Sequence, residues 1–118
     1  VNAVCREIAG SHLLPNIIVK SFRLRAIPEI RCQCQDVKTA ALFAPKIMTI
    51  LRKEKYLLKI AQEFKADEIS LHYSLVTRKL MEKAAKKNFS VTIWTADNPL
   101  LVKRAVKLGI GAIITNNP

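Results

Sequence analysis

Glycine is nearly absent from this chain: Gly10, Gly109 and Gly111 are the three in 118 residues. No strand-like run is therefore followed by a Gly-rich loop able to wrap a phosphate chain, which argues against a dinucleotide-binding sheet. Long apolar runs are also missing. None approaches the ~20 residues that cross a bilayer, so no transmembrane segment is expected. No stretch joins a basic start, an apolar middle and a small-residue cleavage site in the manner of a signal peptide. The chain opens on Val1, which permits a processed chain, an alternative start or a fragment of a longer one.

Histidine and cysteine are scarce. Cys32 and Cys34 stand one residue apart and Cys5 is distant, an odd count that does not make a disulfide framework. A zinc site needs more ligands than His12 and His72 add. Three small core thiols in a reducing compartment are expected instead, which points to the cytoplasm. Acidic residues number nine against twenty Lys and Arg, for a net charge of +11. Such a balance attracts phosphates, nucleic acid or anionic lipid. The basic residues are spread between apolar positions, as in "LRKEKYLLKIAQEFK", and no aromatic-interleaved basic stripe appears. A nucleic-acid-binding module is the weakest of the functional readings.

What is present is alternation. Short β-branched or apolar runs at Asn16 to Phe22, Val37 to Phe43, Glu68 to Ser74, Ser90 to Thr95 and Gly111 to Thr115 read as five strands. Between them lie segments of helical period. "RLRAIPEIRCQ" carries Pro28 in its first turn, and "KYLLKIAQEFKA" sets Tyr56, Leu57, Ile60 and Phe64 on one face. "RKLMEKAAKKN" is capped by Thr77, and "LLVKRAVKL" is capped by Asp97 or Asn98, carries Pro99 in its first turn and ends at Gly109. "NAVCREIAG" is a helix tail ended by Gly10. The strands are nearly continuous in apolar residues, the mark of a parallel α/β sheet covered by helices. Periodicity leaves two forms open: a doubly wound sheet, or part of a (β/α) barrel.

The strand ends narrow this. "VKSF", "VTIWTADNP" and "LGIGAIITNNP", in that order, resemble the second half of the glycerophosphodiester phosphodiesterases. In that family one strand ends in Ser-Phe, a later one in Trp-Thr-x-Asn, and the last carries Leu-Gly-x-Asp-x-x-x-Thr-Asp-x-Pro. Here Asp97 replaces the Asn, Gly111 and Asn116 replace the two Asp, and Arg23 follows Ser-Phe. The resemblance implies a TIM barrel, with residues 1–118 as a single partial domain: its last five strands, an incomplete barrel.

The family hydrolyses glycerophosphodiesters to glycerol phosphate and an alcohol, a step in glycerophospholipid metabolism, with a divalent metal, Mg or Ca. Its His-Arg-Gly, Glu-x-Asp, His-Asp and Glu-x-Lys motifs belong to the first half of the barrel and none occurs here. No catalytic residue and no metal ligand is therefore carried over, and the chain alone is expected to be inactive. The alternative is a non-catalytic half-barrel that binds phosphate or a partner through open edges.

Active sites of TIM barrels lie at the carboxyl ends of the strands. Trp94 is expected at the barrel mouth, its ring against the carbon side of a glycerol group, with Thr95 and Asp97 in the loop above. His72 is expected on one strand face with Ser70 and Ser74, where it either donates to a phosphate oxygen or is a satisfied structural residue. Ser21 and Phe22 match the family's Ser-Phe, and Ser21 either donates to a ligand or caps the next turn. Lys20 and Thr115 are further candidates. The expected partners are a glycerophosphodiester or other small phosphate ligand, and, through the open edges, a second copy or a complementary half-barrel.

Overall fold

The computed structural model describes residues 1–45 and 54–118. Helix α1 (Asn2–Ala9) and a short 3₁₀ turn (Leu14–Asn16) precede strand β1 (Ile18–Ser21). Then come α2 (Ala26–Gln33), β2 (Lys38–Phe43), α3 (Glu54–Glu63), β3 (Glu68–His72) and a second 3₁₀ turn (Tyr73–Leu75). The chain continues through α4 (Arg78–Lys86), β4 (Ser90–Trp94) and α5 (Pro99–Leu108) to β5 (Ala112–Ile113). The five strands are parallel and lie side by side in chain order. Among the described residues the sheet does not close: β1 and β5 each pair on one side only.

Local chemistry sets the element ends. The Thr77 hydroxyl accepts the Leu80 amide at 3.1 Å and starts α4. Asn98, not Asp97, caps α5: its side chain accepts the Leu100 amide at 2.8 Å, with Pro99 at the first helical position. Gly109 closes α5 at φ +74°, a left-handed turn that a side chain disfavours.

Several expected elements are shorter than their apolar patterns. Residues 14–16 coil into the first 3₁₀ turn, because Pro15 cannot donate to a sheet and fits the start of a tight turn. Helix α2 starts at Ala26 after a turn at Arg23–Arg25. Strand β3 stops at His72, so Ser74 sits in a 3₁₀ turn and not on the strand. Strand β5 keeps only Ala112 and Ile113, because it has one neighbour to pair with.

Alternation along the strands divides the sheet into two faces. Ala41, Phe43, Ile69, Leu71, Val91 and Ile93 face the helices and pack with Leu57, Leu58, Ala61, Leu80, Ala84 and Ala105. Each fully buried Leu or Ile here contributes about 1.5–3 kcal/mol. The buried face of α3 is thus Leu57, Leu58 and Ala61, while Tyr56, Ile60 and Phe64 are half-buried at its margins. A second cluster joins Cys5 and Ile8 of α1 to Ala26, Ile30 and Val37.

The expectation of three core thiols holds for Cys5 alone. Cys32 points to solvent at the end of α2, Cys34 is half-buried, and all three thiols are free. Burial, then a hydrogen bond with Cys34, pushes the Cys5 thiol pKa up. No helix among the described residues is long and apolar enough to cross a membrane.

Candidate functional site

Among the described residues the other face of the sheet carries no helix. Its side chains run in rows set by the register. Lys20, Ala40, Glu68 and Ser90 form one row, and Leu42, Ser70, Thr92 and Ala112 form the next. His72 and Trp94 form the row at the carboxyl end. Polar and apolar side chains mix here, unlike the helix side.

At the carboxyl end four rings meet. The Trp94 ring takes the edge of Phe22 with centroids 5.5 Å apart and planes at 84°. It meets His72 at 5.3 Å and 81°. The His72 ring in turn lies against Tyr73 at 4.3 Å and 33°. Edge-to-face pairs of this kind add about 0.5–1.5 kcal/mol each beyond the area they bury. In a flat sheet β1 and β4 would stand about 14 Å apart. The contact between Phe22 and Trp94 therefore needs the sheet to curl and both rings to lean across its bare face. Beneath the carboxyl-end row sits Ser70, fully buried. Its hydroxyl and the Trp94 indole nitrogen are buried without a hydrogen-bond partner.

The expected residues separate into two groups. Phe22, His72 and Trp94 come together. Ser21 does not join them: it shares the register of Ala41 on the helix side, and its hydroxyl bonds to the backbone N–H and C=O of Arg23, each at 3.1 Å. It caps the turn after β1. Thr95 is half-buried at the start of the loop after β4, and the Trp94–Thr95 peptide is cis. Asp97 turns to the last residues of the chain. Its carboxylate accepts the Thr115 hydroxyl and the Asn116 amide, each at 2.8 Å. The Asn116 amide, then the Thr115 hydroxyl, holds the Asp97 carboxyl below the usual aspartate range. Thr115 is thus tied to the β4 loop. Lys20 lies one strand-row below Phe22, level with Glu68.

Tyr73 was not legible as part of this site, and Ser74 reaches it by another route than the strand. Tyr73 stacks on His72 only because the chain coils directly after β3. Ser74 binds the His72 ring: its hydroxyl lies 2.7 Å from Nδ1 and its backbone N–H donates to Nδ1 at 3.3 Å. The serine was expected near His72 by strand alternation, but the 3₁₀ turn brings it there. The His-x-Ser spacing was the available signal.

A divalent metal is the cofactor that the resemblance implies. The described residues hold no group of three or more His, Cys, Asp or Glu side chains placed to bind one. The donors among the described residues do not fit a metal.

Parallel strands wrapped by helices, bare on the inner face and carrying a ring cluster at their carboxyl ends, define an incomplete (β/α) barrel of the TIM type. Residues 2–118 match the profile of the glycerophosphoryl diester phosphodiesterase family, and the chain belongs to that family. Its fold is similar to a candidate glycerophosphoryl diester phosphodiesterase of Silicibacter pomeroyi, with TM-score 0.87 and 23% identity, over 99% of this chain and 40% of that one. A second such protein, from Agrobacterium tumefaciens, gives 0.86 and 20%, over 99% and 47%. A phosphodiesterase of Oleispira antarctica, solved in complex with the product sn-glycerol-3-phosphate, gives 0.80 and 12%, over 99% and 45%. The chain thus spans less than half the length of each of these structures. No curated protein sequence matches it.

Proposed function

We propose that this chain is the C-terminal, substrate-side half of a glycerophosphodiester phosphodiesterase barrel, acting in hydrolysis of a glycerophosphodiester to glycerol phosphate and an alcohol. The observation that carries this is the meeting of Phe22, just past the end of β1, with His72 of β3 and Trp94 of β4 at the carboxyl end of the sheet. Barrel enzymes of this type bind ligands at that end. A flat indole packs on the C–H face of glycerol, and an imidazole N–H donates to a phosphate oxygen. The glycerol phosphate bound to the Oleispira relative supports a small phosphate ligand here. Thr95 is read as part of the mouth. Asp97 shapes the loop above it through Thr115 and Asn116. Lys20 contributes positive charge to the face below.

The catalytic acid, base and metal ligands are assigned to the rest of such a barrel and to no residue of this chain. The test is direct. The purified chain should bind sn-glycerol 3-phosphate but release no choline from glycerophosphocholine with Mg²⁺ or Ca²⁺ present. Failure to bind would remove the substrate-side reading. Turnover that survives repurification and disappears on mutation of this chain would remove the division of roles.

The two open edges favour a second reading as well, a non-catalytic half-barrel that binds a partner. It predicts assembly without any response to glycerol phosphate.

A further inference from the structure

The His72 ring is held from several sides. Tyr73 stacks on it, Trp94 meets it at right angles, and Ser74 occupies Nδ1. A backbone N–H can only donate, so the Ser74 amide at 3.3 Å requires a bare lone pair on Nδ1. The Ser74 hydroxyl at 2.7 Å, free to rotate, then donates to the same nitrogen. A neutral imidazole whose Nδ1 accepts carries its proton on Nε2. The hydrogen bonds of this half-buried ring among the described residues both go to Nδ1, and Nε2 is not among the buried unpartnered atoms. It is an open donor at the carboxyl end of β3.

The surroundings suit an anionic acceptor. Along β3 the next inner-face carboxylate is Glu68, two pleats back, about 13 Å away. The Asp97 carboxylate is already taken by Thr115 and Asn116. The chain as a whole carries a net charge of +11.

We propose that Ser74 is a positioning residue: it holds His72 as the Nε2–H tautomer, so that Nε2 donates to a phosphate oxygen of the ligand. The proposal rests on the phosphodiesterase reading above for its ligand, and on the Ser74–His72 geometry alone for the tautomer. A neutral ring fixed this way offers one directed donor and no competing acceptor. Left free, the ring would spend part of its time with an acceptor facing the ligand.

The experiment is long-range ¹H–¹⁵N correlation of the histidine rings in the intact 118-residue chain at alkaline pH, with His12 and His72 as the two ring systems to assign. The wild type should show His72 with a bare Nδ1 and a protonated Nε2, and the Nε2 signal should move on titration with inorganic phosphate or sn-glycerol 3-phosphate. Ser74→Ala removes the 2.7 Å hydroxyl and keeps the longer backbone N–H, so it should raise the population of the second tautomer and weaken binding of both probes by up to about fivefold, the worth of one neutral hydrogen bond. Ser74→Thr should restore both. Ser74 is exposed, so the fold is not at risk, and an unchanged amide spectrum verifies it.

A proton on Nδ1 in the wild type, or an unchanged tautomer in Ser74→Ala, overturns the proposal. Probe binding that moves other resonances and leaves Nε2 still overturns the donor role while the phosphodiesterase reading stands. If neither probe moves any resonance, that reading fails too.

Discussion

The carboxylate of Asp97 receives the hydroxyl of Thr115 at 2.8 Å and so ties the loop after β4 to the end of the chain after β5. The Asn116 amide joins the same oxygen at 2.8 Å. Alongside, the Ala96 amide donates to the Ile114 carbonyl at 2.9 Å. Strand β5 pairs through only two residues, and this clamp extends its hold on β4.

The clamp has a pH signature. Its hydrogen bonds favour the ionised form, so the folded-state pKa of Asp97 lies below its unfolded value. The clamp's contribution is therefore full above the unfolded value and is lost as pH falls from about 4 through the folded pKa. Protection of the Ile114 and Asn116 amides, taken as exchange relative to the intrinsic rate at each pH, should fall over that range in the wild type. In Asp97→Ala that protection should be low throughout and nearly flat with acidification. A variant as well protected as the wild type at neutral pH would dismiss the clamp.

Ser70 carries a fully buried hydroxyl without a partner. Burying such a group unpaired costs about 1–3 kcal/mol. Ser70→Ala keeps nearly the same volume, so the isolated chain should gain about 1 kcal/mol in urea unfolding. A loss of stability would mean that the hydroxyl finds a partner in solution.

Trp94 is half-buried between Phe22 and His72, and it is the only tryptophan. Acrylamide should quench its fluorescence, and sn-glycerol 3-phosphate should protect it. Trp94→Ala should cost less than the ~3–5 kcal/mol of a core Trp truncation. Full shielding from quencher together with a loss of that size would make Trp94 a core residue and not a wall of the mouth.

Ile18 on β1 and Ile113 on β5 are exposed at the two unpaired sides of the sheet. Open strand edges recruit other strands, while a charge of +11 opposes indiscriminate aggregation. Sedimentation at low micromolar concentration should therefore show a discrete oligomer, or a complex when a complementary half-barrel is supplied. A compact monomer with strongly protected amides in β1 and β5 would mean that another packing covers both edges.

The amino-acid sequence by itself determined the alternation of strand and helix, and with it the parallel sheet. The Thr77 cap, Pro99 at the head of α5 and Gly109 at its end were legible as well. Each of these depends on neighbours within a few residues, where periodicity, a capping side chain or a permitted φ decides the outcome. The Trp-Thr and Leu-Gly signatures at the strand ends marked the family for the same reason: they are contiguous.

Tertiary structure decided the rest. Asp97 and Asn98 are equally good caps on paper. Asn98 takes the helix because Asp97 is drawn to Thr115 and Asn116, eighteen and nineteen residues on. Ser21 turns away from Phe22 because strand alternation sends neighbours to opposite faces, and the register then places Ser21 over the helix side. Phe22 reaches Trp94 only across the curl of four adjacent strands. That curl is a property of the whole sheet, summed over every pairing, and no short stretch of sequence encodes it.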